Sequence, residues 1–201
     1  MNEEKCVRLA SARASSLLGV SRSELMTAVV SAKFPWLHDG EIVWSRTPSF
    51  EHGMFWIPDE EDEEPVLLNG KDRMSAISRV LVANVGSLPD NLSAETLAQA
   101  VRQLGEDPRG LLAGKELLKR FGDDLEVLLQ TSAEPSRQVL LDANTDPVLR
   151  SVGDHGWALD FAWFTPKGGV EAWKVEGDHA AIQRMDRAAL LPDHTFFWPM
   201  A

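Results

Sequence analysis

The chain has one cysteine, Cys6, so no internal disulfide can form and nothing in its cysteine usage points to an oxidising compartment. Long apolar runs are also missing. No segment nears the ~18 uninterrupted apolar residues that a membrane-spanning helix needs. The opening MNEEKCVRLASARASSLLGV begins with two glutamates and lacks the apolar centre of a secretory signal. A cytoplasmic protein with no membrane association is the expectation. The motifs that carry common mechanisms are absent too: there is no Walker-type phosphate loop, dinucleotide fingerprint, nucleophile elbow, HExxH or pair of histidines at i, i+4. DANTDP (142–147) sets Asp142, Asn144 and Asp146 at the first, third and fifth places of a calcium loop. Pro147 then stands where glycine is required, and Gly153 where the bidentate glutamate belongs. No catalytic residue, metal ligand or cofactor is therefore nominated.

What the sequence does hold is charge, unevenly spread. The 201 residues carry a formal net charge of −11. Residues 1–36 hold five basic and three acidic side chains, a net +2, and the remaining residues hold 15 basic and 28 acidic, a net −13. Such a body repels nucleic acid and anionic lipid and attracts basic partners. A nucleic-acid role would have to belong to residues 1–36, which are read as an N-terminal helical segment ahead of an acidic α+β domain over 37–201. With 44% hydrophobic residues, a real core forms without staples.

Aromatic residues crowd 34–56 and 157–198, with only Phe121 between. They favour pleated, half-buried surfaces, so the two blocks read as strands of one antiparallel, aromatic-rich sheet packed by central helices. In WALDFAWF (157–164), Trp157, Leu159, Phe161 and Trp163 alternate onto one face. TPKGG and VEAWKV come next, completing a hairpin signal. GEIVWS (40–45) and GMFWIP (53–58) suggest a second hairpin. Caps and spacing predict helices over 93–105, from Ser93 to Gly105, over 107–122, from Asp107 to Gly122, and over 178–192, from Asp178 to Pro192. Residues 73–85 fit helix or strand. The first 32 residues read as two short helices broken at Gly19.

That last pair carries a resemblance. In SSLLGVSRSELMTAVV (15–30), Gly19 makes a turn, Ser21 caps the second helix, and Leu25 with Ala28 or Val29 supplies anchors. The LGVSRS turn resembles the helix-turn-helix of bacterial regulators, over about a tenth of the chain; Ser15 stands where alanine is usual. The resemblance implies a DNA-reading second helix that presents Ser21, Arg22 and Ser23. The same residues also suit a plain αα corner.

Two further features bear on function. The acidic run Asp59, Glu60, Glu61, Asp62, Glu63 and Glu64 comes directly after GMFWIP, and with Trp56 as an apolar anchor it reads as a docking site for a basic partner. All five histidines have an acidic neighbour, and His155, His179 and His194 with nearby aspartates offer a metal-site alternative. Adjacent residues point apart, however, and Asp154, Asp178 and Asp193 serve equally as turn and cap residues. The leading expectation is a non-enzymatic acidic protein-binding module, such as an inhibitor, immunity-type protein or adaptor. A DNA-binding regulator and a metal-dependent enzyme are the alternatives.

Overall fold

In this computed structural model, described residues are 2–49, 51–60, 64–89, 91–105, 111, 112, 114, 134–143, 145–165, 167–193 and 195. α1 (Glu3–Leu18) opens with the Asn2 side chain accepting from the Glu4 N–H at 2.9 Å, and it ends at Gly19 with φ +67. Cys6, Ala10 and Ala14, four residues apart, give it a buried stripe of small side chains. That stripe lies on Val43, Phe55 and Ile57 of the first sheet.

The expected second N-terminal helix does not form. Ser21 and Glu24 satisfy each other's backbone in a capping box, but the box closes only the single 3-10 turn Arg22–Glu24. The chain then extends as β1 (Met26–Val29). Thr27 explains why: its hydroxyl accepts from Ser11 at 3.0 Å and shares a 2.7 Å hydrogen bond with buried Ser45. The strand sets Thr27 directly opposite Ser45, within reach of both partners. β1 pairs with β2 (Glu41–Arg46), β2 with β3 (His52–Ile57) and β3 with β4 (Val66–Leu67), all antiparallel. The predicted hairpin over 40–58 is thus present, and residue 36 falls between two strands of one sheet.

α2 (Arg73–Val85) settles the ambiguous segment as helix. α3 (Ala94–Gly105) starts where expected, with the Thr96 N–H donating to Ser93 Oγ at 3.1 Å. Leu97, Val101 and Leu104 are fully buried, each contributing roughly 1.5–3 kcal/mol. The helix expected over 107–122 lies outside the described residues.

α4 (Glu134–Ala143) precedes most of a second sheet, made of β5 (Leu111–Leu112), β6 (Val148–Val152), β7 (Gly156–Phe164), β8 (Val170–Asp178) and β9 (Ile182–Leu191). The β7–β8 hairpin keeps the predicted alternation, with Phe161 opposite Trp173 and Ala162 opposite Ala172. The class is α+β, with two antiparallel sheets where one was expected. The reason is the placement of the middle helices: one continuous core joins Ile42, Met54 and Trp56 to α2, α3 and the Trp157–Trp163 face. Each aromatic block therefore completes its own sheet.

The helix expected over 178–192 is also overturned, because β9 occupies it, paired with β8. Asp178 does act as a cap, but of a hairpin turn: Oδ1 accepts from the Ala180 and Ala181 N–H groups at 2.9 Å each. Those two N–H bonds, with the Gln183 amide and nearby His179, hold its carboxyl below the ordinary 3.8. A depressed folded pKa stabilises above the unfolded pKa, and that stability is lost as pH falls through the folded value. Asp178→Asn should therefore be less stable than wild type at neutral pH. The gap should narrow as pH drops below about 4, read by denaturant unfolding at several pH values. A gap that stays constant with pH would refute the charge argument.

Candidate functional site

The register of the first sheet gathers carboxylates at one of its ends. Glu41 opposes Ile57, so the segment entering β2 and the segment leaving β3 emerge side by side. Trp56 opposes Val66, which brings Glu64 to the same end from the start of β4. α1 begins there as well, since Cys6 near its start shares a buried cluster with Ile57, the last residue of β3; burial raises the Cys6 thiol pKa, and the Glu41 and Asp59 carboxylates push it the same way. Glu3 and Glu4 in the first turn of α1, Asp39 and Glu41 before and in β2, Asp59 and Glu60 after β3, and Glu64 thus share one rim. Glu3, Glu4, Asp59, Glu60 and Glu64 are exposed; Asp39 and Glu41 are half-buried. Bordering cations include Lys5, close enough to act on Cys6, and Arg79, which lies over the Trp56 ring. Residues 37–72 hold ten acidic and two basic side chains, a net −8 of the chain's −11.

Local hydrogen bonds fix this rim. Asn84 of α2 accepts from the Asp39 N–H at 2.7 Å and also from the His38 N–H. Its amide donates to Val80 O at 2.8 Å, anchoring it to its own helix. The Trp56 indole N–H donates to Asp39 O at 3.0 Å, and Arg79 stacks on that ring at 5.6 Å. Ser31 Oγ donates to Glu41 and accepts from the Ile42 N–H at 2.8 Å. Trp56 is only 2% exposed. It is a core side chain that holds the Asp39 loop from within, so its expected part as an exposed anchor is corrected. Glu61, Asp62 and Glu63 lie outside the described residues.

No family model, curated protein or solved structure matches this chain. The geometry alone therefore bears on its function.

The other sequence candidates fall into place one by one. Ser21, Arg22 and Ser23 are exposed, but they sit in a single 3-10 turn that leads into a strand, so there is no recognition helix to enter a groove. His155 and His179 do come together, with ring centroids 5.8 Å apart, and His179 Nδ1 lies 3.0 Å from Leu88 O. His194 lies outside the described residues. Among the described residues no group of three or more His, Cys, Asp or Glu is placed to hold a metal ion, and no helix is long and apolar enough to cross a membrane. Asp142 lies in the last turn of α4 and Asp146 sits in the loop before β6.

The outer face of the second sheet is electrically balanced. Arg150 pairs with Asp160, Lys174 with Glu176 at 2.7 Å and Arg184 with Asp186 at 2.6 Å. Residues 148–191 carry five basic and six acidic side chains. An open cavity of about 420 Å³ lies between α4 and this face, over Ala162, Ala172 and Ala188. Of the net −13 carried by residues 37–201, −8 thus falls in residues 37–72 and little in the strands of the second sheet. Glu3, Glu4, Asp39 and Glu41 escape a sequence reading because only the packing of α1 on the sheet and the β2–β3 register bring them toward Asp59. Asn84 has no sequence signal at all.

Proposed function

We propose that the protein is a non-enzymatic binding module that presents the acidic end of its first sheet to a basic protein partner in the cytoplasm. It acts as an inhibitor, immunity-type protein or adaptor, by occupying the partner's surface. The observation that carries this reading is the convergence of carboxylates from four chain segments on one rim, held by Asn84 and Trp56. Charge gathered on a rigid rim steers a cationic partner and makes binding salt-dependent.

The test compares two charge-matched triple variants in titrations with a labelled oligolysine peptide. Asp59→Lys, Glu60→Lys and Glu64→Lys together should weaken binding at least about tenfold more than Glu134→Lys, Asp142→Lys and Asp154→Lys together. Wild-type affinity should fall steeply as salt shortens the Debye length from about 30 to 8 Å. Equal losses from the two triples, or affinity indifferent to salt, would sink the reading.

A further inference from the structure

We propose that the cavity between α4 and the outer face of the second sheet binds a small organic cation, with its charge at the C-terminal end of α4 and its apolar body on the alanines of the sheet. This site shares no residue with the acidic rim and does not rest on the function proposed for it.

Strand register builds the floor. Ala162 opposes Ala172, and Ala172 opposes Ala188, so three methyl groups stand side by side on one face of β7, β8 and β9. In the next row on that face, Asp160 opposes Lys174, and Lys174 opposes Asp186. Short side chains beside long ones leave a trough of about 420 Å³, which α4 borders with Asp142 and Ala143. Cavities of that size hold small organic molecules. Val148 and Leu190 also line it, 47% and 42% exposed. An apolar ligand laid against them removes that surface from water.

Charge then selects the ligand. Asp142 lies in the last turn of α4, which has no basic side chain there. The carbonyl end of a helix is partially negative, so a carboxylate at that end is unfavourable and a cation beside it favourable. Among the described residues the partner of Asp142 is the Gln138 amide at 2.7 Å, which brings no charge. Across the floor, Asp160 and Asp186 are matched within the sheet by Arg150 and Arg184. Of the cations lining the cavity, Lys174 holds Glu176 at 2.7 Å. Arg187 alternates to the other face of β9, where it faces Glu171 at 3.7 Å. The place for a positive charge is therefore the end of α4. Among the described residues no three His, Cys, Asp or Glu are placed to hold a metal ion, and a bare ion would leave the alanine floor uncovered. An amine on an aromatic body fits both halves of the cavity.

Calorimetric titration of the full chain with 1-naphthylmethylamine, 1-naphthylmethanol and 1-naphthoate tests this, because the three differ mainly in charge. The amine should bind at least about tenfold more tightly than the alcohol, and the carboxylate more weakly than either. Asp142→Asn keeps an acceptor for Gln138 and should fold as wild type does. It should weaken the amine at least about threefold and leave the alcohol unchanged. Ala188→Leu, at an exposed position, fills the floor and should abolish binding of amine and alcohol alike. Should that variant fold poorly, Leu190→Asn should weaken both. Asp59→Lys, Glu60→Lys and Glu64→Lys together should leave amine binding at the wild-type level, which separates this site from the oligolysine surface. No binding of the amine, equal affinity for amine and alcohol, or amine affinity lost with the rim triple and kept in Asp142→Asn would each overturn the proposal.

Discussion

Arg102→Ala will lower the unfolding free energy by about 3–5 kcal/mol. Arg102 extends from α3, is only 3% exposed, and places its guanidinium 5.2 Å from the Trp163 ring centroid and 5.5 Å from that of Trp173. Its Nε is 3.8 Å from a carboxylate oxygen of Glu171, itself 17% exposed, which also takes the Trp173 indole N–H at 3.0 Å and faces Arg187 at 3.7 Å. An exposed ion pair contributes at most about 1 kcal/mol. Here alanine removes one partner of a charge held away from water and leaves a gap between two indoles, so desolvation and cavity effects add. Arg102→Met combined with Glu171→Leu replaces the pair by apolar groups and should recover most of the loss. Denaturant unfolding of both single variants and the double completes the cycle. A loss below about 1 kcal/mol for Arg102→Ala would mean that the pair is solvated in the folded protein.

Such an arginine cannot be read from the sequence, and the contrast with α3 as a whole shows why. Ser93, Leu97, Val101 and Leu104 specify the helix within a dozen residues, through a cap and a stripe, so its position is legible. Nothing local marks Arg102 as a cation lying between indoles about 60 and 70 positions away. The β7–β8 hairpin is legible for the same reason: Trp157, Leu159, Phe161 and Trp163 alternate, and the glycines at 168 and 169 come just after them.

Where sequence reasoning fails, one local device serves two outcomes. An aspartate that accepts from the amides two and three residues ahead begins a helix or closes a hairpin with the same atoms. Asp178 therefore announces a turn without specifying the element beyond it. β9 is decided by the open edge of β8, which no window of sequence contains. At the N-terminus, Gly19 and the Ser21–Glu24 box have the local geometry expected of them, but Thr27 finds its partners at Ser11 and Ser45. The acidic rim divides in the same way. Asp59, Glu60 and Glu64 stand out as a run of charge, whereas Trp56 beside them can be taken for an anchor because its burial depends on α2 and the Asp39 loop.

Gly40→Ala will cost roughly 2–5 kcal/mol and will weaken the acidic rim's attraction for cations at the same time. Gly19 supplies the comparison. At φ +67 and with nothing within 4 Å of an added Cβ, its replacement by alanine meets only the left-handed backbone penalty, about 1–2 kcal/mol. Gly40, at φ +76, carries the same penalty, but its Cβ would lie 2.4 Å from Ile57 O and 2.4 Å from the Trp56 indole nitrogen. Neither neighbour yields cheaply: Ile57 O belongs to the backbone of β3, and the indole is clamped by its bond to Asp39 O and by Arg79 stacked on its ring. Relief has to come from the Asp39–Glu41 segment itself, which would swing off Trp56 and carry two rim carboxylates with it. Unfolding measurements should rank wild type above Gly19→Ala above Gly40→Ala. Oligolysine binding should fall for Gly40→Ala and stay at the wild-type level for Gly19→Ala. If both variants bind as wild type does while only stability changes, the Asp39 and Glu41 carboxylates do not belong to the docking surface, and the rim contracts to Asp59, Glu60 and Glu64 with the first turn of α1.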